Sequence, residues 1–308
     1  MRAAFVETLC ALAAQDTRVW LVTGDLGFSA LEPFIEQFPD RYLNAGVAEQ
    51  NMMGMAAGLA MSGKIVFVYS IANFPTMRCL EQIRNDVALH NANVKIIAAG
   101  VGFTYGTQGY THYAIEDMAV VGAFANMTVV SPGDPIEARS LIESAYKTDG
   151  PVYVRMGRAG EPVVHKGPID LPFGKSIMLR DGTDVTLIAT GTMLSDTVAA
   201  VDQLFDVHNI SARLISMPAL KPLDRGAIYN AAQETGAIVT VEEHMISCGL
   251  GASVADALME GGINTVLVKH GATPDMLGKV GTQQYMRSQM GAIADTTLRA
   301  IAAKQNRV

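Results

Sequence analysis

The sequence predicts an α/β protein built from two doubly wound units, each around a largely parallel sheet. Three observations carry that expectation. Short apolar runs alternate with helix-length stretches along all 308 residues, the pattern of strands joined by crossover helices. Hydrophobic residues make up 49% of the chain and charged residues 17%, with 29 glycines, a composition that suits strands buried on both faces and tight turns between them. Residues 157–184, with three prolines, five glycines and no periodicity, interrupt the alternation and read as a linker.

In the first unit, strands are expected at 18–23 (RVWLVT), 64–69 (KIVFVY), 94–99 (VKIIAA), 127–131 (MTVVS) and 151–155 (PVYVR), with helices near 3–14, 49–62, 76–90, 114–124 and 134–147. Asp134 followed by Pro135 marks the start of the last helix, an acid cap before a proline in the first turn. In the second unit, strands are expected near 185–190, 211–216, 237–241 and 264–268, with helices near 193–207, 224–234, 250–260 and 282–304. The expected domains are 1–157 and 180–308, joined by a linker at 158–179.

Composition narrows the function classes. Twenty-three basic against 30 acidic side chains leave a net charge of −7, without a Lys/Arg cluster, so nucleic acid is not an expected partner. No segment approaches the ~20 apolar residues of a membrane span. Cys10, Cys79 and Cys248 have neither metal nor disulfide spacing and read as reduced thiols of a cytoplasmic protein. Seventeen methionines stand against one tryptophan, and Met52, Met53, Met55 and Met61 share one expected helix. They read either as core packing or as a subunit interface.

Residues 44–63, NAGVAEQNMMGMAAGLAMSG, are dominated by small side chains, which let a backbone or a flat ligand come close. Glu49 opens this helix, where an acid also complements the helix dipole. The longer stretch FPDRYLNAGVAEQNMMGMAAGLA (38–60) resembles the pyrimidine-binding domain of transketolase and of 1-deoxyxylulose-5-phosphate synthase. The resemblance implies that Glu49 bonds the aminopyrimidine ring of thiamine diphosphate. A carboxyl group in a water-poor site keeps its proton more easily, and sharing that proton with the ring activates the cofactor.

The resemblance extends over most of the chain. VTGDLGFS (22–29) is similar to the family's segment after the first strand, and Asp25 matches an acid lining the pyrimidine pocket. YSIANFPTMRCLEQIRNDVALHN (69–91) resembles the stretch that stacks on the pyrimidine; Phe74 matches the stacking ring, and Ile71 stands where a second aromatic is expected. GTQGYTHYAIED (106–117) resembles the signature G-x-x-G-x-T-H-x-x-x-E-D, with His112 matching a histidine beside the reacting carbons of a sugar. An imidazole there can donate to a developing alkoxide or move a proton. Glu116 and Asp117 are given no catalytic role. VEEHMISCGLGASVADAL (241–258) resembles the transketolase C-terminal domain, and His244 reads as structural.

For the substrate, Arg2, Ser29 and Arg158 match positions that hold a sugar phosphate, where arginine's planar fork suits the anion. Arg155 and Arg158 also admit the reading of plain surface charges. Gly100 stands where a histidine completes the phosphate site, Gln108 where an acid contacts a substrate hydroxyl, and Tyr110 and Tyr113 replace smaller or amide residues. The resemblance therefore implies an unusual sugar or another anionic end.

The family's diphosphate and metal site has a G-D-G signature and a downstream asparagine, and no G-D-G occurs here. The expectation is an N-terminal partner subunit that holds the diphosphate and Mg2+ (or Ca2+ or Mn2+), with no metal on this chain and a two-plus-two heterotetramer whose active sites lie between chains. Ketol transfer from a ketose to an aldose is the expected reaction. The same architecture also admits the beta subunit of a 2-oxo-acid dehydrogenase, a deoxyxylulose-phosphate synthase-like fragment, or a non-catalytic assembly partner; THYAIED (111–117) favours transketolase.

Overall fold

The structure is a computed structural model that describes residues 1–306. Its strands are β1 (Val19–Thr23), β2 (Tyr42–Asn44), β3 (Ile65–Ile71), β4 (Val94–Ala99), β5 (Thr128–Val130), β6 (Val152–Met156), β7 (Ile177–Arg180), β8 (Val185–Ala189), β9 (Ala212–Ser216), β10 (Ala219–Lys221), β11 (Ala237–Met245) and β12 (Val266–Ala272). Among the described residues they form a seven-stranded sheet, ordered β10-β5-β6-β4-β3-β1-β2, and a five-stranded sheet, ordered β12-β11-β8-β9-β7. Only the β10–β5 and β7–β9 edge pairs of these sheets are antiparallel. The expected α/β class with two mostly parallel sheets is therefore what the chain adopts.

The helices are α1 (Arg2–Gln15), α2 (Glu32–Gln37), α3 (Glu49–Met61), α4 (Phe74–Met77), α5 (Leu80–Gln82), α6 (Asp117–Gly122), α7 (Pro135–Lys147), α8 (Leu194–His208), α9 (Arg225–Thr235), α10 (Leu250–Glu260), α11 (Gln283–Ser288) and α12 (Ile293–Gln305). α1 and α7 cover one face of the large sheet through Phe5, Leu9, Leu141 and Ile142. α3 and the turn at 83–88 cover the other through Met52, Met53, Ile83 and Val87. At α7 the Asp134 carboxylate accepts from the Glu137 N–H at 2.8 Å, ahead of Pro135 in the first turn.

Several expected elements differ. The helix at 76–90 is three pieces, because Cys79 leaves the helical conformation (φ −127°, ψ 32°) after α4, and Ile83–Ala88 form a π-helical turn. The helix at 114–124 shrinks to α6, because residues 110–112 form a tight 3-10 turn and Ala114 bridges to Gly102. The helix at 282–304 splits into α11 and α12 around Gly291, whose φ is +82°. β10 leaves the second series of elements and pairs with β5 at the edge of the first sheet.

Charged side chains join the two sheets. Arg155, for which a plain surface charge was one of the open readings, is only 1% exposed. It sits inside because the fully buried Asp117 carboxylate accepts from its Nε at 3.0–3.1 Å, and its Nη2 donates to the Ala114 and Glu243 carbonyls at 2.7 and 2.9 Å. The buried Glu243 carboxylate accepts from the Phe103 N–H, the Thr192 hydroxyl, Gln283 Nε2 and Arg287 Nη2. Its room depends on Gly102, where an added Cβ would lie 2.5 Å from the Glu243 carboxyl carbon. His244 is fully buried beside Asp117, and burial pushes its pKa down to about 4. Both ends of the 102–117 segment are thus tied to the second sheet.

Removing one partner of a buried ion pair leaves the other charge uncompensated, at a cost of about 3–5 kcal/mol, whereas an exposed pair contributes about 0–1 kcal/mol. Arg155→Met is therefore expected to lower unfolding free energy in urea by about 3 kcal/mol or more. Arg225→Met, which breaks the exposed pair with Glu260, is expected to change it by about 1 kcal/mol or less.

Candidate active site

Glu49 is the first residue of α3, and it is 6% exposed. Two turns bring it to this point. The β1 strand ends at Thr23 and turns through Gly24 and Asp25, and β2 ends at Asn44 and turns through Gly46. The Asn44 Oδ1 accepts from the Asp25 and Gly46 N–H groups, each at 2.9 Å, while its Nδ2 donates to the Asp25 carboxylate at 3.0 Å. Asp25 takes a left-handed φ of +58°, which aspartate tolerates better than most residues. Gly24 lies against the same turn: an added Cβ would be in ordinary contact with the Gly46 carbonyl at 3.4 Å and with Glu49 Cγ at 3.9 Å.

The Glu49 carboxylate accepts from Arg78 Nη1 at 2.6 Å. The same guanidinium lies 3.7 Å from the centre of the Phe74 ring. Residues four apart share a helix face, so α4 and its end place Phe74 and Arg78 together. The Phe74 ring meets His112 edge-on, with centroids 5.3 Å apart. Asn73 Nδ2 donates to the Thr111 carbonyl at 2.9 Å and fastens α4 to the turn that carries His112. Burial first, and the Arg78 charge second, lower the His112 pKa from 6.5. Thr111 Oγ1 lies 3.0 Å from His112 Nδ1. Ile71 ends β3, partly buried and in register with Ala99.

The residues expected to hold the sugar lie farther out. Tyr105 lies 6.4 Å from His112, centroid to centroid, and the Arg158 guanidinium lies 5.5 Å from the Tyr105 ring centre. Tyr105 fills the space beside Gly100, where an added Cβ would come within 2.2 Å of its ring. Tyr69 lies where the charges of Arg2 and Arg158 both reach it, and burial raises its pKa to about 12. Arg2 and Ser29 line a cavity of about 440 Å³ between α1 and α2, together with Val6, Cys10 and Pro33. Gln108 is exposed in the turn Gly106–Gln108. The structure thus brings Glu49, Phe74 and His112 together around Arg78, ties Asp25 to their rim, and sets Arg2, Ser29, Gln108 and Arg158 outside that group.

Sequence reasoning missed Arg78, Asn44, Asn73 and Tyr105. The four-residue spacing from Phe74 to Arg78 was the available signal for the first. No sequence signal marks Tyr105.

The family models for the transketolase pyrimidine-binding domain and the transketolase C-terminal domain match residues 1–160 and 174–292. This chain belongs to the transketolase family. It is 37% identical to a putative transketolase C-terminal section of Methanocaldococcus jannaschii, over 98% of this chain and 95% of that one. It is 41% identical to one of the subunits of the apulose-4-phosphate transketolase of Phocaeicola vulgatus, over 89% of this chain and 87% of that one. Among solved structures, a split-gene transketolase described as an inactive beta4 tetramer superposes with a TM-score of 0.90 at 36% identity, covering 99% of this chain and 98% of that one. The chain is a transketolase-type subunit.

The residues present fit an aminopyrimidine. A carboxylate and an aromatic face together already accept a flat, N–H-donating group, the Arg78 guanidinium. Gly46 adds room, since a Cβ there would meet nothing within 4 Å. Among the described residues, no group of three or more His, Cys, Asp or Glu side chains could hold a metal ion, and no helix is long and apolar enough to cross a membrane.

The depressed His112 pKa means that its imidazole is neutral at pH values where an ordinary histidine is partly charged. An NMR titration should give a midpoint below 6.5, and Arg78→Met should move it upward by removing a neighbouring positive charge.

Proposed function

We propose that the chain is the C-terminal subunit of a split thiamine-diphosphate-dependent transketolase, moving a two-carbon ketol unit from a ketose or ketose phosphate to an aldose. The observation that carries this reading is the buried Glu49 carboxyl beside the Phe74 face. Thiamine diphosphate, when bound, supplies the electron sink for breaking and making the carbon–carbon bond. The chain's own residues do the rest. The Glu49 carboxyl holds a proton shared with the aminopyrimidine ring and returns it. Phe74 packs against the ring face, Ile71 lines it, and Asp25 and Asn44 brace the turns that position Glu49.

His112 is neutral near pH 7, and when the Thr111 hydroxyl donates to Nδ1, the proton sits on Nε2, which then donates to a substrate oxygen. Gln108 contacts a sugar hydroxyl. Arg2, Ser29 and Arg158 hold the far, anionic end of the sugar. We read 1–157 as the pyrimidine domain and 180–308, of which 307–308 lie outside the described residues, as the C-terminal domain, with the linker 158–179 ending in β7, which already joins the second sheet.

The diphosphate and its metal, Mg2+ or else Ca2+ or Mn2+, belong to an N-terminal partner subunit in a two-plus-two heterotetramer. Phe28 and Val47, three residues after Asp25 and two before Glu49, are left 71% and 73% exposed. Added Cβ atoms at Gly54 and Gly58 on α3 would meet nothing. Such open apolar surface beside a reactive group suits a covering subunit. The inactive beta4 assembly of the split-gene relative supports the same reading. Free Cys10, Cys79 and Cys248 suit a reducing cytoplasm.

A mixing assay with a ketose donor, thiamine diphosphate and Mg2+ tests the proposal. Ketol transfer is expected only when both chains are present. Glu49→Gln is expected to lower the rate by about 10²–10⁴. Full activity of this chain alone, or wild-type turnover by Glu49→Gln, contradicts it.

A further inference from the structure

We propose that Arg78 holds the aminopyrimidine seat in the cofactor-free chain and is displaced by the ring when thiamine diphosphate binds. This deepens the reading of Glu49 and Phe74 given above and rests on it. The guanidinium is flat, carries N–H donors in its plane and presents a π face. It uses all three properties here, donating to Glu49 Oε1 at 2.6 Å while lying 3.7 Å from the Phe74 ring centre. An aminopyrimidine that bonds Glu49 and stacks on Phe74 needs the same carboxylate and the same aromatic face. At 3.7 Å the guanidinium lies directly on the Phe74 ring, so a pyrimidine stacking on that same face must displace it.

Arg78 is built to yield. Its side chain is 46% exposed, unlike the buried Glu49 it pairs with. It stands at the end of the four-residue α4, just before Cys79 leaves helical geometry. The pair keeps a buried carboxylate from standing without a partner, the state that costs a fold most. It also keeps Phe74 turned toward the seat. Displacement moves a positive charge away from His112, which Arg78 otherwise disfavours in its charged form.

The test is calorimetric titration of the assembled two-chain enzyme with thiamine diphosphate in Mg2+, for wild type, Arg78→Met and Arg78→Lys. Methionine keeps the stem but cannot pair with Glu49. The Met variant is expected to bind about threefold to tenfold more tightly, from the loss of a half-exposed ion pair and a cation–π contact. The Lys variant, which keeps the charge without the planar stack, is expected to fall between the two. A residue that merely braces the fold would lower the melting temperature without strengthening cofactor binding. Wild-type binding with an equal or weaker Met variant overturns the displacement and leaves the thiamine reading standing. Absence of binding by every form overturns both.

Discussion

A buried carboxylate has to be given partners, and Glu49 is given one. It opens α3 beside the turns at Gly24 and Gly46, almost out of water, and its side chain accepts from a half-exposed arginine. The rest of the site follows from that arrangement. Asn44 locks the two turns that meet at Glu49. The single turn of α4 puts Phe74 and Arg78, four residues apart, on one face beside the carboxylate. The cost of the buried acid is thus met by local geometry that also suits a flat, hydrogen-bonding ring.

The second sheet contributes by holding the segment that carries His112. Arg155 and Asp117 fix one end of 102–117, and the Glu243 carboxylate fixes the other through the Phe103 N–H. These groups are buried and mutually satisfied, so the segment has one arrangement rather than several. His244 lies at the same seam with its ring kept neutral by burial. The C-terminal sheet, remote in sequence, thereby sets where the imidazole stands relative to Phe74.

The central strands were legible because they are buried on both faces and read as apolar runs: β1, β3, β4, β6, β8, β9 and β11 lie near their expected positions. The strands missed, β2, β7 and β10, have three or four residues and lie at sheet edges, where little apolar pattern survives. The methionine cluster divides: Met52 and Met53 are core, whereas Met61 is 56% exposed. The readings of Arg155 stayed open because an arginine at a strand end looks like surface until its carboxylate, 38 residues earlier, is known to face it. The motifs singled out Glu49, Phe74 and His112, and the structure sets these three around Arg78. No motif marks Arg78 or Tyr105: the first is placed by its four-residue spacing from Phe74, the second by the space left at Gly100.

The most direct measurement is a crystal structure of the chain assembled with an N-terminal partner and thiamine diphosphate. The account predicts a Glu49 carboxyl oxygen within about 3 Å of a pyrimidine ring nitrogen, at a site closed by both chains. A pyrimidine bound away from Glu49, or a cofactor held wholly within one chain, would contradict it.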